Sequence, residues 1–507
     1  MFQNPIISGF NPDPSLCRVE DDYYLVTSTF EYFPGIPIYK SRDLVHWEQI
    51  GNVLDRPEQL DLDGARAPGG LYAASIRYHD GLFYVTCTNM TRGGNFVVTA
   101  RDPAGPWSNP HFLDTDGFDP CLFFDDDGRA YYVGQHVRKE KRYHGDCEIY
   151  LQPFDTEALQ VTGEPVAVWR GALKHSIWAE GPHLYKMFGY YYLMIAEGGT
   201  GFDHSVTVAR SESLFGPYVG CTRNPILTHR HFGQEYAIVD VGHADLVQTP
   251  KGEWWMTALG CRTMDGPFCN LGRETLLAKV DWDRYLWPVV NKGVGCVPEV
   301  MDVSPDLEEA LVAEPPVRED FRGERLPFRW ITARTPRDSF YSLLRPGLRL
   351  YAKKTCVEDT EHFSFWGQRV RHKSFAARTA FVLKNAGSHE KAGIVVLQQN
   401  KHYFELAVGN GEITLTAVEK EKRSVVRKPC SLDKVYLTVE ARGQSYSFYY
   451  GANETEREPL ALDVDGRLLS QERAASFTGT VIGMFVSSYG ADTEAYADFD
   501  WFDYEGV

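Results

Sequence analysis

Three carboxyl groups and one imidazole occur at similar places in separate stretches of the chain, and these residue types perform acid–base chemistry. Asp13 and Asp119 each precede a proline, in NPDPS and GFDPC, Glu180 begins EGPH, and His243 lies in VGHADL. Proline is tolerated at the start of a strand, so each acid is expected at a strand entrance. A single Asp-Pro is usually only a turn, so a catalytic role is indicated only if the pattern recurs along the chain.

The pattern does recur, because an aromatic pair follows these residues at a nearly constant distance. Each pair follows a glycine- or aspartate-rich turn and is predicted to begin a strand. The pairs recur at intervals of 60, 48, 60 and 63 residues. The polar residue stands 10 to 12 positions before four of the pairs, and the second unit has Ala73 there instead. The pairs are Tyr23-Tyr24, Phe83-Tyr84, Tyr131-Tyr132, Tyr191-Tyr192 and Trp254-Trp255.

Five near-equal units of about four short strands predict a five-bladed β-propeller in residues 1–300. Equal offsets place the polar residues at the same end of the central channel, so Asp13, Asp119, Glu180 and His243 converge. Crowded carboxylates repel one another, which separates their pKa values for acid–base work. We therefore predict a catalytic group for glycosidic bond cleavage, with one acid to protonate the leaving oxygen and one carboxylate for water or direct attack.

The rest of the chain predicts a second all-β domain. Runs such as FAARTAFVLK, KAGIVVLQQ and KVYLTVEARG in residues 319–507 alternate apolar and polar residues between turn signals, which is typical of an antiparallel β-sandwich. We expect this accessory domain to pack near the active site. Residues 301–318, with Pro315-Pro316, are the predicted linker.

Composition excludes several other classes of protein. The net charge is −17, and no basic stretch is interleaved with aromatic residues, so nucleic acid is not an expected partner. The N-terminus lacks the features of a secretory signal and no segment approaches 18 apolar residues, which predicts a cytoplasmic protein without a membrane partner. Ten scattered cysteines without a CxxC are expected to be reduced and packed.

Six motifs in order then carry a specific resemblance. They are GFNPDPSLCRVEDDYYLVTSTFEYFPGIPIYKSRDLVHWEQIG, GFDPCLFFDDDGRAYY, WAEGPHLYK, AEGGTGFDHSVTVARS, VGHADLV and LGRETLLAKVDW. Together they resemble glycoside hydrolase family 43, on its β-xylosidase and α-L-arabinofuranosidase side. The resemblance covers about residues 4–298 and continues into a C-terminal sandwich, so it spans nearly the whole chain.

The resemblance implies a role for each polar residue. Asp13 would be the general base that deprotonates the attacking water, and Glu180 the general acid that protonates the departing oxygen. Asp119 would raise the pKa of the acid and hold it in position. His243 would orient the site through a water or a bound cation, and Arg273 would reach sugar hydroxyls and the acidic cluster.

Aromatic residues close to the acids are the expected walls of a single-sugar pocket, because ring faces stack on the C–H face of a pyranose. They are Phe30, Tyr72, Trp178 and Phe202. Where many relatives have Trp-Ala-Pro, this chain has Tyr72-Ala73-Ala74. We therefore include Ala73 among the substrate-binding residues and expect a shifted pocket wall.

The resemblance implies an exo-acting, inverting hydrolase that releases terminal xylose, arabinofuranose or both from xylo- or arabino-oligosaccharides of hemicellulose. It requires no cofactor, although a single structural cation such as Ca²⁺ near the channel axis would have His243 as its ligand. In the family, the sandwich lends a loop that closes the site, and residues 487–496 are one candidate. Members form dimers and tetramers, which leaves a homo-oligomer open.

Two other functions stay open at this point. An endo-arabinanase would need an open groove, which the C-terminal domain argues against. A non-catalytic carbohydrate-binding propeller would be expected to lack at least one acid, and Asp13, Asp119 and Glu180 are all present.

Overall fold

Five antiparallel sheets follow one another along residues 15–290 of the computed structural model, which describes residues 1–507. They form the five blades of a propeller and confirm the predicted fold class. Their strands, with three short ones outside the blades, are β1 (Phe2–Gln3), β2 (Ser15–Val19), β3 (Asp22–Val26), β4 (Tyr32–Phe33), β5 (Gly35–Ser41), β6 (Glu48–Leu54), β7 (Ser75–His79), β8 (Leu82–Asn89), β9 (Gly94–Ala100), β10 (His111–Phe112), β11 (Cys121–Phe124), β12 (Ala130–Val137), β13 (Cys147–Asp155), β14 (Gln160–Val161), β15 (Val166–Trp169), β16 (Glu180–Met187), β17 (Tyr190–Glu197), β18 (Ser205–Ser211), β19 (Val219–Gly220), β20 (Leu227–Thr228), β21 (Ile238–Gln248), β22 (Trp254–Arg262), β23 (Arg273–Trp282), β24 (Pro288–Val290) and β25 (Val300–Met301).

Each blade is one contiguous stretch of chain. Blades 1, 2 and 5 have the orders β2-β3-β5-β6, β7-β8-β9-β10 and β21-β22-β23-β24. In blades 3 and 4 two short strands share the outer position, so β13 pairs with both β14 and β15, and β18 with both β19 and β20. These blades therefore have one strand more than the repeat predicts.

The repeated aromatic pair lies in the second strand of every blade, as the spacing predicts. Three of the preceding hairpins turn through only two residues, Glu20-Asp21, Asp80-Gly81 and Phe188-Gly189. In the last two turns both residues have positive φ. This geometry matches the right-handed twist of paired strands and explains why the aromatic residues follow a turn with glycine in its second position.

The first strands of the blades surround the channel axis, and each contacts the first strand of the next blade. The N-terminal segment joins the ends of the ring, because β1 pairs with β25 and Ile6 and Ile7 bond to Thr275 of blade 5. The strand entrances thus lie around one end of a closed circle.

The second domain is a sandwich of two antiparallel sheets. One has the order β28-β29-β40-β31-β36-β37-β38 with β26 on β40, and the other has the order β30-β39-β32-β33-β34-β35. Phenylalanines such as Phe375, Phe404 and Phe499 fill the space between them. The elements are β26 (Arg318–Glu319), β27 (Thr332–Ala333), β28 (Tyr341–Leu343), β29 (Leu348–Tyr351), β30 (Phe365–Arg369), β31 (Ser374–Lys384), β32 (Lys391–Gln399), β33 (His402–Gly409), β34 (Glu412–Glu419), β35 (Lys422–Pro429), β36 (Val435–Arg442), β37 (Ser445–Gly451), β38 (Arg457–Asp465), β39 (Val481–Ser487), β40 (Tyr496–Gly506) and a one-turn helix α1 (Gln471–Ala474), with 3-10 turns at Asn291–Gly293 and Gly466–Leu469.

The two domains share a buried seam. Strand β27 of the second domain pairs with β4, the short strand between β3 and β5 of blade 1. Aromatic rings from both domains form one apolar cluster that includes Phe10, Phe30 and Phe365. Arg369 donates to the carbonyl of Phe10 at 2.6 Å. The sandwich is therefore fixed against the rim of blade 1, next to the strand entrance of Asp13.

One buried acid at this seam is unusual. Glu31 lies on the propeller side beside Arg334, whose guanidinium donates instead to the carbonyl of Ala65 and to Asn400. The Oε2 atom of Glu31 has no hydrogen-bond partner. Burial raises the pKa of Glu31 to about 7, although the charge of Arg334 and a backbone hydrogen bond oppose the shift.

Residues 302–317, between β25 and β26, contain no helix or strand. All ten cysteines are free thiols and eight of them are buried, as their spacing predicts. The structure contains no helix with the length and apolar character that a membrane crossing requires.

Candidate active site

The structure brings the predicted acids together at one end of the channel. Asp13 and Asp119 each stand two residues before the first strand of a blade, and Glu180 is the first residue of β16. Asp13, Asp119 and His243 all have positive φ, at 55°, 57° and 48°. Non-glycine residues adopt this conformation only where the surroundings hold it, at a cost of about 1–3 kcal/mol each, and such residues concentrate at functional sites.

Asp13 is held as a carboxylate. Its Oδ1 accepts from Arg273 Nη1 at 2.7 Å, its Oδ2 accepts from Ser28 Oγ at 2.6 Å, and His243 Nδ1 lies 4.0 Å from Oδ1. Burial alone would raise the pKa of Asp13, but Arg273, His243 and the Ser28 hydrogen bond outweigh it and leave the pKa below the usual value. The group is therefore ionised at neutral pH.

The two other acids have pKa values shifted the opposite way. Burial raises the pKa of Glu180 well above its usual range, and the charges of Asp119 and Asp13 add to the effect. Burial and the charge of Asp13 likewise raise the pKa of Asp119. The backbone N–H of Ala73 donates to Asp119 Oδ1 at 3.1 Å, which favours the charge on Asp119 and the proton on Glu180. Ala73 thus acts on the site through its backbone.

His243 lies directly against the catalytic strand of blade 4. A Cβ atom at Gly181 would stand 2.7 Å from the His243 ring, and Gly181 has a φ of 54°, so only glycine fits beside Glu180. Burial lowers the pKa of His243, and the charge of Asp13 only partly opposes this. No group of three or more His, Cys, Asp or Glu side chains could hold a metal ion, so a cation at His243 stays a prediction.

Arg273 joins the acids to the second domain. Its Nη1 also donates to Thr200 at 2.9 Å, and its Nε donates to the carbonyl of Phe477, which belongs to the sandwich, at 3.0 Å. The guanidinium lies over the rings of Phe30 and Phe477, at 5.4 and 5.0 Å from their centroids. Five donor and ring contacts therefore fix the orientation of the arginine that binds Asp13.

Aromatic rings form a continuous row away from Arg273. Phe30 and Phe477 both pack on Tyr72, Tyr72 packs on Phe118, and Phe118 packs on Trp178, with centroids 5.4 to 6.2 Å apart. Phe30 is fully buried, whereas the others are partly exposed. Burial also raises the pKa of Tyr72 to about 12, so it stays a neutral phenol. Three of the four predicted wall residues belong to this row.

Phe202 is the predicted wall residue that stays outside the row. It is partly exposed in the loop between β17 and β18, and its ring pairs with no other aromatic ring. The same loop supplies Thr200 to Arg273, so the loop reaches the site although this ring does not join the aromatic row.

Residues 487–496, one candidate for the segment that closes the site, form no hydrogen bond or ion pair with the acids. Ser487 and Tyr489 hydrogen-bond within the sandwich, to Thr355 and Glu405. The segment between α1 and β39 approaches the site instead, where Gly479 packs against Leu271 and Phe10 and the ring of Phe477 meets Phe30. Phe477 lies in ASFTGTV, which carries no sequence signal for a binding loop.

Sequence reasoning also missed a buried polar group deeper in the channel. Asp245 of blade 5 accepts hydrogen bonds from Ser15 of blade 1, Arg77 of blade 2 and Tyr185 of blade 4. Arg77 in turn donates to His183 Nδ1 at 2.7 Å. Burial opposes the charge, but Arg77 holds the pKa of Asp245 well below its usual range. Its hydrogen bonds join blades 1, 2, 4 and 5. His183 is three residues after Glu180 in β16, so the group lies beneath the acids.

An ionised carboxylate and a protonated one in a closed site beside aromatic rings are what glycosidic bond cleavage requires, which places this propeller among the glycosidases. The chain belongs to a defined family of them. Residues 2–288 match the model of glycosyl hydrolases family 43, and residues 318–505 match that of the beta xylosidase C-terminal concanavalin A-like domain.

Similar proteins match this chain across both domains. A xylosidase/arabinosidase of Butyrivibrio fibrisolvens is 43% identical over 99% of both chains. A non-reducing end alpha-L-arabinofuranosidase of Bacteroides ovatus is 40% identical over 99% of this chain and 94% of its own. The crystal structure of a xylan beta-1,4-xylosidase from Bacillus halodurans superimposes with a TM-score of 0.94 at 34% identity, covering 100% of both chains.

Proposed function

We propose that the protein is an exo-acting, inverting glycosidase that releases terminal xylose, arabinofuranose or both from hemicellulose-derived oligosaccharides. One observation carries the proposal: Arg273 and Ser28 keep Asp13 ionised, while burial and neighbouring charge keep the proton on Glu180. Separated pKa values of this kind assign the base and the acid. The names of the relatives support the sugar class.

In the proposed reaction, Asp13 takes a proton from a water molecule while the oxygen of that water attacks the anomeric carbon. Glu180 gives its proton to the departing glycosidic oxygen, so the bond to the rest of the oligosaccharide breaks without an alkoxide leaving group. Asp119 lies in the same buried group, and when it is ionised its charge raises the pKa of Glu180 and holds the proton there until it is delivered. Each turnover ends with Asp13 protonated and Glu180 ionised, and exchange with water restores both.

Exo action follows from the wall that the sandwich supplies. Phe477 contacts Phe30, Tyr72 and Arg273 beside Asp13, which supports a wall behind the terminal sugar on that side of the reacting bond. Xylopyranose and arabinofuranose present similar hydroxyl geometry to such a pocket, and one arginine with several ring faces would accept both.

The test measures hydrolysis of nitrophenyl β-D-xyloside and nitrophenyl α-L-arabinofuranoside by the wild type, Asp13→Ala, Glu180→Ala and the control Glu212→Ala. Glu212 is an exposed acid of blade 4 in no ion pair. We expect activity from the wild type and the control, strong loss in Asp13→Ala, and the opposite anomer as first product by NMR. No activity of the wild type on either glycoside, or retention of the anomer, contradicts the proposal.

A further inference from the structure

The mouth of the site is basic on one side, although the chain as a whole is acidic. Two loops form this side: residues 138–146, between β12 and β13, and residues 170–179, which lead into Glu180. Residues 138–146 and 170–176 carry six arginines and lysines against two acids, in a protein of net charge −17. Because β12 ends and β16 begins at the end of the channel where Asp119 and Glu180 lie, both loops border the site.

Some of these charges are neutralised within the protein and others are free. Asp146 binds Arg138 and Arg142, and Glu148 binds Arg170. The remaining cations are exposed and form no ion pair or hydrogen bond; they are Lys139, Lys141 and Lys174. Exposed Glu140 is the one acid of these two loops outside an ion pair, which leaves the rim with a net positive charge.

The basic loops are joined to the general acid by direct contacts. Trp178 precedes Glu180 by two residues, so their Cα atoms lie within about 7 Å. The backbone N–H of Trp178 donates to the carbonyl of Gly145 at 2.8 Å, and the His144 ring packs edge-on against the indole at 5.1 Å. The free lysines belong to these same two loops and lie four to six residues along the chain from Gly145 or Trp178.

The position of Glu180 decides which part of the substrate meets this rim. The general acid protonates the oxygen of the leaving group, so the leaving part of the oligosaccharide lies on the side of Glu180 and Trp178. The partly exposed indole offers a ring face for a sugar, and the lysines of the two loops offer donors for an anion.

We propose that the leaving-group side of the site takes an oligosaccharide that carries a carboxylate, in the form of a uronic acid on the sugar next to the scissile bond. The terminal sugar in the pocket stays unsubstituted, while the uronate meets Lys139, Lys141 and Lys174. This inference rests on the proposed function, since it names the substrate of the same site. The reaction is the same hydrolysis.

The experiment compares two substrates that differ only in charge: an acidic xylo-oligosaccharide with an unsubstituted terminal xylose, and the same compound after reduction of its uronic acid to the neutral hexose. We expect kcat/KM of the acidic compound to exceed that of the reduced one by about three- to ten-fold at low salt, because three exposed ion pairs each add little. The ratio should approach one at 0.5 M salt, where the Debye length is about 4 Å.

A triple variant Lys139→Ser, Lys141→Ser, Lys174→Ser should lose the preference for the acidic compound and keep its kcat/KM on the neutral one. The matched control is Lys384→Ser, Lys420→Ser, Lys422→Ser, which removes three exposed, unpaired lysines of the sandwich and should keep the preference. Equal kcat/KM for both compounds with the wild type, or a preference that survives in the first triple variant, overturns the inference. Neither result affects the proposed function, which is tested separately by hydrolysis of the two nitrophenyl glycosides and by the anomer of the first product.

Discussion

Phe477 links the sandwich to the chemistry of the propeller, and Phe477→Ala tests this link. The ring lies 5.0 Å from the Arg273 guanidinium and 5.4 Å from Phe30. A partly desolvated cation–π contact is worth about 0.5–2 kcal/mol and an aromatic pair about 0.5–1.5 kcal/mol. Truncation therefore removes about 1–3 kcal/mol, while the carbonyl that binds Arg273 Nε stays in place.

Part of this loss should appear in catalysis, because Arg273 keeps Asp13 ionised. We expect kcat/KM on nitrophenyl xyloside to fall by about ten- to a hundred-fold, which is about 1.4–2.7 kcal/mol. A looser Arg273 stabilises the carboxylate less, so the acid limb of the pH profile should move to higher pH. A role in packing alone would lower the stability without moving this limb.

The control is Phe268→Ala. Phe268 is a partly buried phenylalanine of the propeller that lies 5.6 Å from Arg467 of the sandwich, at the seam but without contact to the acids. Its variant should lose stability and keep the wild-type kcat/KM and pH profile. Unchanged kinetics in Phe477→Ala, or the same kinetic loss in Phe268→Ala, would refute the reasoning.

Three other predictions concern the acids. Glu180→Ala should lose about 10²- to 10⁴-fold on xylobiose but little on a dinitrophenyl xyloside, whose leaving group needs no protonation. In the wild type, kcat/KM should fall as pH rises through the raised pKa of Glu180 and, in acid, through the lowered pKa of Asp13. Glu31→Gln should stabilise the protein as pH rises: with a folded pKa of about 7 against 4.5, wild-type Glu31 costs nothing below pH 4.5 and up to about 3 kcal/mol above pH 7. Thermal unfolding at pH 4.5 and 8 measures this, and an equal difference between the two proteins at both values would contradict it.

The sequence could predict the propeller because its signal is local and repeated. Each unit has its own hairpin with an aromatic second strand, and similar offsets from that strand place Asp13, Asp119 and Glu180 at equivalent strand entrances. His243 has a similar offset but lies within β21. The positive φ of Asp13, Asp119 and His243 could not be predicted from the sequence, because no local motif distinguishes this backbone conformation from an ordinary one.

The remaining parts of the site depend on contacts across long distances in the chain. Phe477 reaches Arg273 over 204 residues and Arg273 reaches Asp13 over 260. The family resemblance implied that Arg273 reaches the acidic cluster, but no motif indicated Phe477. The sequence alone determined which groups could carry protons and that they share one end of a circular array. Only the tertiary structure decided their charge states, because burial and the neighbours from other blades and from the second domain set the pKa of each group.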